Sequence, residues 1–238
     1  MRATAPKSTT PLTFAEPTGL NPRGTLVVLP GRGEQPGLYE RFGRRLATDA
    51  YRVHVLGESA EDVEIKALLD EGTPAPVVLV GSDTGALRAL RLAAAGTLRV
   101  DGLVLAGLPD AESTVDVDAD AEPELRASCP NHQKLLRDEN LVRAGALADF
   151  PAALREPVDL SAVTVPVLGL HGDNDAVSPV DRARDTYAAL AHGRLSTVAD
   201  GRHDVLNAAN HRSVAATVVL FLERLRLGPE LPEVVIPT

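Results

Sequence analysis

An aspartate stands in the middle of a glycine-flanked turn, where its carboxylate could act as a nucleophile or as a base. The turn is GSDTG, residues 81–85, and its central residue is Asp83. An apolar run precedes it and a helical pattern follows it. A sharp turn between a buried strand and a helix exposes its central side chain above the edge of a sheet, and glycines relieve the crowding there. Asp83 is therefore the first candidate catalytic residue, and the turn around it is formed by Gly81, Ser82 and Gly85.

The carboxylate of Asp83 suits some reactions better than others. Attack on an ester carbonyl would give an anhydride, which is a poor route, whereas attack on a saturated carbon with a strained or good leaving group gives an alkyl ester. Asp83 could instead be a general base with no covalent intermediate, or only the N-cap of the following helix. Ser82 is the less favoured nucleophile because it lies one residue from the exposed point of the turn.

Alternating strand and helix patterns supply the scaffold for this turn. Short β-branched runs predict strands over 25–30, 51–57, 76–81, 100–107, 165–172 and 193–200. The central runs are almost continuously apolar, which is typical of parallel strands covered on both faces. Apolar residues at three- and four-residue spacing predict helices over 38–50, 60–71, 84–95, 180–191 and 213–227. The pattern predicts an α/β fold with a mostly parallel central sheet flanked by helices.

The alternation breaks between Pro109 and Thr164. The acidic, weakly hydrophobic stretch PDAESTVDVDADAEPE opens this segment, and helix-like pieces follow. Long segments of this kind between two strands are usually functional or mobile. We expect 109–164 to form a small helical cap or lid on a core domain made of 1–108 and 165–238. A helical crossover with a disordered loop is the alternative.

Composition excludes several classes of function. The 238 residues are 44% hydrophobic and 24% charged, as in a globular chain with a large core. The net charge of −9 argues against binding to nucleic acid or to anionic membranes. Cys129 is the only cysteine and the histidines lack paired ligand spacing, so neither an internal disulfide nor a metal site is expected.

We expect a cytoplasmic protein that acts on a small molecule. The N-terminal stretch MRATAPKSTTPLTF is polar and lacks the apolar centre of a secretory signal. No segment approaches about 18 consecutive apolar residues, so no membrane span is predicted. The Pro-rich, apolar tail LGPELPEVVIPT is expected to pack along the surface, to be disordered, or to pack on the second subunit of a homodimer.

Four separated segments resemble the α/β-hydrolase superfamily, with its monoglyceride lipase and lysophospholipase branch nearest in pattern. The turn around Asp83 resembles the nucleophile elbow. LVVLPGRGEQPGLYERF resembles the H-G-x-G-E…Y segment, with Pro30 in place of the histidine. VLGLHGDNDAVSP resembles the stretch that carries the catalytic acid, and ADGRHDVLN with the helix after it resembles the histidine loop. The resemblance covers roughly 25–106 and 165–227 and does not reach the cap.

The resemblance implies a role for each matching residue. Asp83, Asp175 and His203 follow the superfamily's order of nucleophile, acid and base. The backbone N–H groups of Arg32 and Thr84 would form the oxyanion hole, which stabilises negative charge as it develops on oxygen. The resemblance implies no cofactor.

The aspartate at the elbow resembles epoxide hydrolases and dehalogenases, whose elbows often read G-H-D-x-G, with Ser82 here in place of that histidine. In those enzymes the aspartate forms an alkyl ester, which water activated by the histidine then cleaves. Their caps generally supply tyrosine or tryptophan to the leaving group, but this chain has no tryptophan and no tyrosine in 109–164. His132 or Arg126 would have to substitute.

These observations predict a cofactor-independent hydrolase of a small, mostly apolar substrate. Its centre would be an Asp-His-Asp triad with epoxide-hydrolase-like chemistry. Two alternatives stay open at this point. One is an enzyme that cleaves carboxylic esters or lactones, and the other is a non-hydrolytic cyclase, lyase or binding protein that keeps the fold.

Overall fold

The computed structural model describes residues 10–70, 72–110, 115 and 117–236. Most of the N-terminal stretch that was examined for a secretory signal lies outside the described residues, as do 111–114 and 116 of the acidic loop.

Seven strands form one sheet. They are β1 Leu12–Phe14, β2 Gly24–Leu29, β3 Tyr51–Val55, β4 Val77–Ser82, β5 Gly102–Ala106, β6 Val167–Gly172 and β7 Gly193–Val198. Their order across the sheet is β1-β3-β2-β4-β5-β6-β7. Only β1 pairs in the antiparallel sense, and the remaining neighbours are parallel. The six predicted strands are confirmed as β2 to β7, whereas β1 was not predicted because three residues carry no periodic signal.

Five of the helices confirm the predicted helical patterns. The α-helices are α1 Glu40–Thr48, α2 Asp62–Asp70, α3 Thr84–Ala94, α4 Glu122–Arg126, α5 Pro130–Leu136, α6 Val180–Ala189 and α7 His211–Leu227. Short 3₁₀ turns lie at Pro36–Tyr39, Ala146–Ala148, Ala152–Leu154 and Leu160–Ala162. Within the described ranges, no helix combines the length and the apolar character that a membrane span requires.

Two apolar layers enclose the sheet, because alternate side chains of each strand point to opposite faces. On β2, Leu26 and Val28 pack in the layer that contains the apolar faces of α1 and α7. Val27 and Leu29 pack in the opposite layer with α2, α3 and α6. Helices on both faces are what a parallel sheet requires. The carboxyl ends of the parallel strands therefore meet at one edge, which is where the candidate catalytic residues stand.

The segment 109–164 contributes α4, α5 and three of the 3₁₀ turns. It is hydrogen-bonded to the loop that follows β2. The backbone N–H of Gln35 donates to the carbonyl of Leu141, and the backbone N–H of Arg143 donates to the carbonyl of Gly33, each at 2.8 Å. The segment therefore lies over the carboxyl end of β2, as a cap would. Its function as a lid stays a prediction.

Candidate active site

Asp83 occupies a strained position between β4 and α3. Its φ is +50° and its ψ is −125°, a left-handed conformation that a residue with a side chain rarely adopts. The flanking glycines permit this turn. A Cβ on Gly81 would lie 2.4 Å from the backbone of Ala86, and one on Gly85 would lie 2.1 Å from the carbonyl oxygen of Leu29. Strained, non-glycine positions cluster at functional sites, so the backbone supports Asp83 as the centre of the site.

The side chain of Asp83 does not cap the helix that follows it, since it accepts no hydrogen bond from the first turn of α3. The interpretation of Asp83 as only a helix N-cap is therefore wrong. Ser82, the less favoured nucleophile, ends β4 with its side chain buried beside Tyr39.

Arg32 contacts the carboxylate of Asp83 with both its backbone and its side chain. Its backbone N–H donates to Oδ2 at 2.9 Å. Its Nε donates to the same oxygen at 2.8 Å, and its Nη2 donates to Oδ1 at 2.8 Å. A planar guanidinium that binds both oxygens of a carboxylate is a strong, orienting ion pair. The expectation from sequence concerned only the backbone N–H of Arg32 and missed its side chain.

Asp175 lies in the loop that follows β6, and His203 lies in the loop that follows the neighbouring strand β7. Nδ1 of His203 is 2.9 Å from Oδ2 of Asp175. The backbone N–H groups of Val177 and Ser178 both donate to Oδ1 of Asp175 at 2.9 Å. His171 lies on the other side of this carboxylate, with its Nε2 3.2 Å from Oδ2. Asp175 is thus held in place by several donors, and it fixes the ring of His203.

The second ring nitrogen of His203 faces the elbow. Nε2 lies 3.2 Å from Oδ1 of Asp83, but without the alignment of a hydrogen bond, and it forms none with any described part of the chain. Burial disfavours the charged imidazolium, yet the carboxylates of Asp175 and Asp83 raise the pKa of His203 to about 10. Burial alone would likewise raise the pKa of Asp83, but His203 and Arg32 hold that pKa well below its usual range. At neutral pH the site therefore contains two carboxylates and two cations.

The site is closed to solvent. Asp83 and Arg32 are 0% exposed, and His203 is 1% exposed. Arg32 lies between the elbow and the cap, because its Nη1 donates to the carbonyl of Leu147 at 2.6 Å and its guanidinium lies 5.3 Å from the ring centre of Phe150. Thr84, the second predicted oxyanion residue, begins α3 and is buried. Its N–H is one of the first-turn donors that have no partner within a helix.

A second buried network adjoins this site and centres on Arg126 of α4. Its Nε donates to Glu122, its Nη1 donates to Glu34, and its Nη2 donates to the backbone carbonyl of Arg32, each at 2.8 Å. Glu34 also accepts the backbone N–H of Gly31 at 2.8 Å and the hydroxyl of Tyr39. Burial, followed by the charge of Asp204, raises the pKa of Glu34 to about 7. The cap is therefore ionically tied to the loop that bears Arg32.

His132, which was considered as a cap acid, belongs to the second network. Its Nε2 is 3.2 Å from Oδ2 of Asp204, and the backbone N–H of Asp204 donates to the carbonyl of Arg126 at 2.8 Å. Asp204 is thus engaged with the cap and is not the partner of His203. Among the described residues, no group of three or more histidine, cysteine or acidic side chains is placed to hold a metal ion.

Comparison of the whole architecture with solved structures shows an α/β-hydrolase fold. The chain is similar to the monoacylglycerol lipase of Paleococcus ferrophilus, with 17% identity, a TM-score of 0.72, and 92% of this chain and 98% of that chain covered. It is similar to an esterase of Exiguobacterium antarcticum, with 21% identity, a TM-score of 0.70, and 90% and 94% covered. MenH of S. aureus follows with 16% identity, a TM-score of 0.68, and 92% and 99% covered.

Comparison of the sequence alone does not assign the chain to a protein family. No protein-family model matches the chain, and no curated protein matches it in sequence. At these identities the structural likeness defines the fold, and the chemistry has to be argued from the site itself.

Proposed function

We propose that the protein is a cofactor-independent hydrolase that opens epoxides of small, mostly apolar molecules through an alkyl ester of Asp83. The observation that carries the proposal is the placement of the two Asp83 oxygens. Oδ1 faces Nε2 of His203 at 3.2 Å, while Oδ2 accepts the backbone N–H of Arg32 at 2.9 Å. One oxygen is thus directed toward a proton-transfer group and the other toward an oxyanion donor.

In the first step, Oδ1 of Asp83 attacks a ring carbon of the epoxide. A bond forms between Oδ1 and that carbon, the carbon–oxygen bond of the ring breaks, and the electron pair passes to the ring oxygen. The ring oxygen takes the proton that His203 carries on Nε2 at neutral pH. The products are an alkyl ester of Asp83, a free hydroxyl group on the substrate, and neutral His203.

In the second step, neutral His203 takes a proton from water while the water oxygen attacks Cγ of Asp83. The resulting tetrahedral intermediate places its negative charge on Oδ2. Its collapse breaks the bond between Cγ and the ester oxygen, which leaves as the second hydroxyl of a diol and takes the proton back from His203. Asp83 is then a carboxylic acid, and it transfers the proton of its new hydroxyl to Nε2 of the neutral His203. The cycle ends with ionised Asp83 and protonated His203, so protons and charges balance.

The state of His203 favours an epoxide over an alkyl halide. An imidazolium next to the attacking oxygen can protonate a leaving oxygen, whereas a halide needs donors that stabilise it as an anion. Asp175 would stabilise the imidazolium and orient the ring in both steps. Loss of the negative charge of Asp83 on alkylation also lowers the pKa of His203, which prepares the imidazole to act as a base.

Substrate entry requires the closed site to open. The cap residues Leu147 and Phe150 contact the guanidinium of Arg32, which in turn donates from Nη2 to Oδ1 of Asp83. The cap must therefore move away, and Nη2 must release Oδ1, before a substrate reaches that oxygen. Opening and closing of a cap is a common step in enzymes that exclude water from a reactive intermediate.

The first experiment compares the wild type with Asp83→Ala on terminal epoxides and on p-nitrophenyl esters. Loss of epoxide opening in a variant that keeps its circular dichroism spectrum supports the proposal, and retained opening overturns it. A single turnover with excess wild-type protein in H₂¹⁸O then separates nucleophile from general base. The nucleophile mechanism places ¹⁸O in Asp83, whereas a general base directs it into the diol. Ester cleavage that survives in Asp83→Ala would point instead to water activated by His203.

A non-hydrolytic role is the second candidate, and the fork between Arg32 and Asp83 favours it. A carboxylate bound at both oxygens by one guanidinium is a weakened nucleophile, so the pair could serve a binding protein or a lyase that keeps the fold. In that case His203→Gln would leave ligand affinity largely unchanged, and neither substrate panel would react.

For the substrate, the cellular location and the oligomeric state, we keep the expectations from the sequence as proposals. We propose a small-molecule substrate and a cytoplasmic location. We also propose association of two copies through the C-terminal tail, where Val235 and Ile236 are 77% and 71% exposed. Size-exclusion chromatography with light scattering tests the homodimer.

A further inference from the structure

The Arg32 side chain has no assigned role in the mechanism above, although it donates a hydrogen bond to each carboxylate oxygen of Asp83. The guanidinium is fully buried and contacts both oxygens of Asp83. It is anchored on its other side by the carbonyl of Leu147 at 2.6 Å and by the ring of Phe150. A buried arginine with this many fixed contacts has a defined orientation toward the carboxylate.

The two oxygens of Asp83 meet different environments. Oδ2 accepts two N–H groups of Arg32, the backbone N–H at 2.9 Å and Nε at 2.8 Å. Oδ1 accepts one, from Nη2 at 2.8 Å, and faces His203. The less heavily bonded oxygen is the better nucleophile. Oδ1 therefore becomes the ester oxygen, and Oδ2 becomes the carbonyl oxygen of the ester.

We propose that the guanidinium of Arg32 is a catalytic group, which stabilises the oxyanion on Oδ2 while the Asp83 ester is hydrolysed. This inference rests on the proposed function. Arg32 would supply a neutral backbone donor and a cationic side-chain donor to the same oxygen, so a charged group assists a task that backbone N–H groups usually perform alone.

The sum of charges supports this assignment. In the resting site Asp83 and Asp175 are negative while Arg32 and His203 are positive, so the four charges sum to zero. Alkylation removes the charge of Asp83, and proton transfer removes that of His203, so the sum stays zero. When water attacks, Oδ2 becomes negative and His203 becomes positive again. Arg32 is then the cation in direct contact with the new charge.

Arg32 has opposite effects on the two steps. In the first step the carboxylate loses its charge, so the ion pair stabilises the ground state and slows attack. In the second step the charge returns to Oδ2, so the guanidinium stabilises the transition state and speeds hydrolysis. A residue with a merely structural role would not shift the two steps in opposite directions.

The test is rapid-quench mass spectrometry of the intact protein with 1,2-epoxyhexane as the probe. In Arg32→Met, which keeps the backbone N–H, we expect the Asp83 adduct to form at least as fast as in the wild type. We expect its hydrolysis to slow about 10²–10³-fold, as on removal of one oxyanion donor. The adduct therefore accumulates in the variant and stays scarce in the wild type.

Two further variants control the experiment. Arg32→Lys keeps the charge but not the fork, and an intermediate accumulation is expected. Arg155→Met removes the other guanidinium that stacks on Phe150, at 5.2 Å, and should behave like the wild type. If circular dichroism shows that Arg32→Met is unfolded, Arg32→Gln takes its place in the same measurement.

The outcomes separate this inference from the proposed function. No adduct in Arg32→Met, while a wild-type single turnover still places ¹⁸O in Asp83, overturns the role of Arg32 and leaves the proposed function intact. A wild type that places no ¹⁸O in Asp83 overturns both. Slower formation of the adduct in Arg32→Met, with unchanged hydrolysis, also overturns the role of Arg32.

Discussion

Arg32 and Asp83 form a two-point ion pair in which Nε lies 2.8 Å from Oδ2 and Nη2 lies 2.8 Å from Oδ1. Both side chains are fully buried. Removal of one partner from such a pair strongly destabilises the folded protein, because the remaining buried charge is left without a counter-charge. Variants at these two positions therefore need a check of folding before any loss of activity is assigned to chemistry.

Asp175 is expected to act through His203 rather than on the substrate. Asp175→Asn would keep the shape of the side chain but remove the charge that holds the ring and stabilises the imidazolium. We expect turnover to fall about 10⁴-fold, by analogy with the same change in a serine-protease triad. Epoxide hydrolysis measured at saturating substrate checks this prediction. The matched control is Asp173→Asn, which changes an exposed residue two positions earlier. An equal loss of turnover in Asp173→Asn would contradict the role assigned to Asp175.

The raised pKa of His203 predicts a pH-dependent stability. Asp175 and Asp83 raise this pKa to about 10 in the folded protein, above the value of about 6.5 for an unperturbed histidine. The folded state therefore binds the proton more tightly, and the resulting stability is complete below about pH 6.5 and is lost as the pH rises toward 10. The free energy of unfolding should fall over that window.

Urea denaturation followed by circular dichroism at several pH values measures this effect, and His203→Gln removes the titrating group. The fall in unfolding free energy should be shallower in the variant than in the wild type. Identical pH profiles for the two proteins would show that the imidazole is not held in its charged form.

The second network predicts a large effect on stability from a residue of the cap. Arg126→Met leaves the buried carboxylates of Glu34 and Glu122 without their cation. Removal of one partner of a buried pair costs about 3–5 kcal/mol. The double variant Arg126→Met/Glu34→Gln should recover part of this loss, because it also removes a negative charge. Chemical denaturation measures both proteins.

An exposed ion pair of the same type provides the comparison. Arg137→Met breaks the pair between Arg137 and Glu124, in which the two side chains are 48% and 47% exposed. Surface pairs contribute about 1 kcal/mol or less. A similar loss for Arg126→Met and Arg137→Met would mean that the buried network does not tie the cap to the core.

The sheet and its flanking helices could be predicted from sequence because their signals are local. Runs such as Val77–Ser82 are apolar throughout, and α7 repeats its apolar residues at helical spacing. The edge strand β1 was not predicted, because Leu12–Phe14 is too short to show an alternating apolar pattern. Local patterns thus define most of the fold but not its edge.

Some residues of the site could be predicted from local sequence motifs, whereas contacts between residues far apart in the chain could not. Asp83, Asp175 and His203 were found because each stands in a short segment with a recognisable pattern, and the structure brings the three together. The side chain of Arg32 contacts a residue 51 positions away, and Arg126 contacts one 92 positions away. Those contacts depend on how the loops and the cap are arranged in space, which no local pattern encodes.

Finally, the elbow should tolerate no side chain at Gly85. A Cβ there would lie 2.1 Å from the carbonyl oxygen of Leu29 and 2.5 Å from that of Pro30, so Gly85→Ala must push α3 away from β2 or distort the turn that holds Asp83. We expect a loss of about 1–3 kcal/mol in unfolding free energy from overpacking, together with loss of turnover. Gly96→Ala is the control, because Gly96 has a φ of +63° but no atom within 4 Å of the added carbon. That variant should lose only about 1 kcal/mol from backbone strain and keep full turnover. Normal turnover in a folded Gly85→Ala protein would contradict the assignment of this turn as the centre of the site.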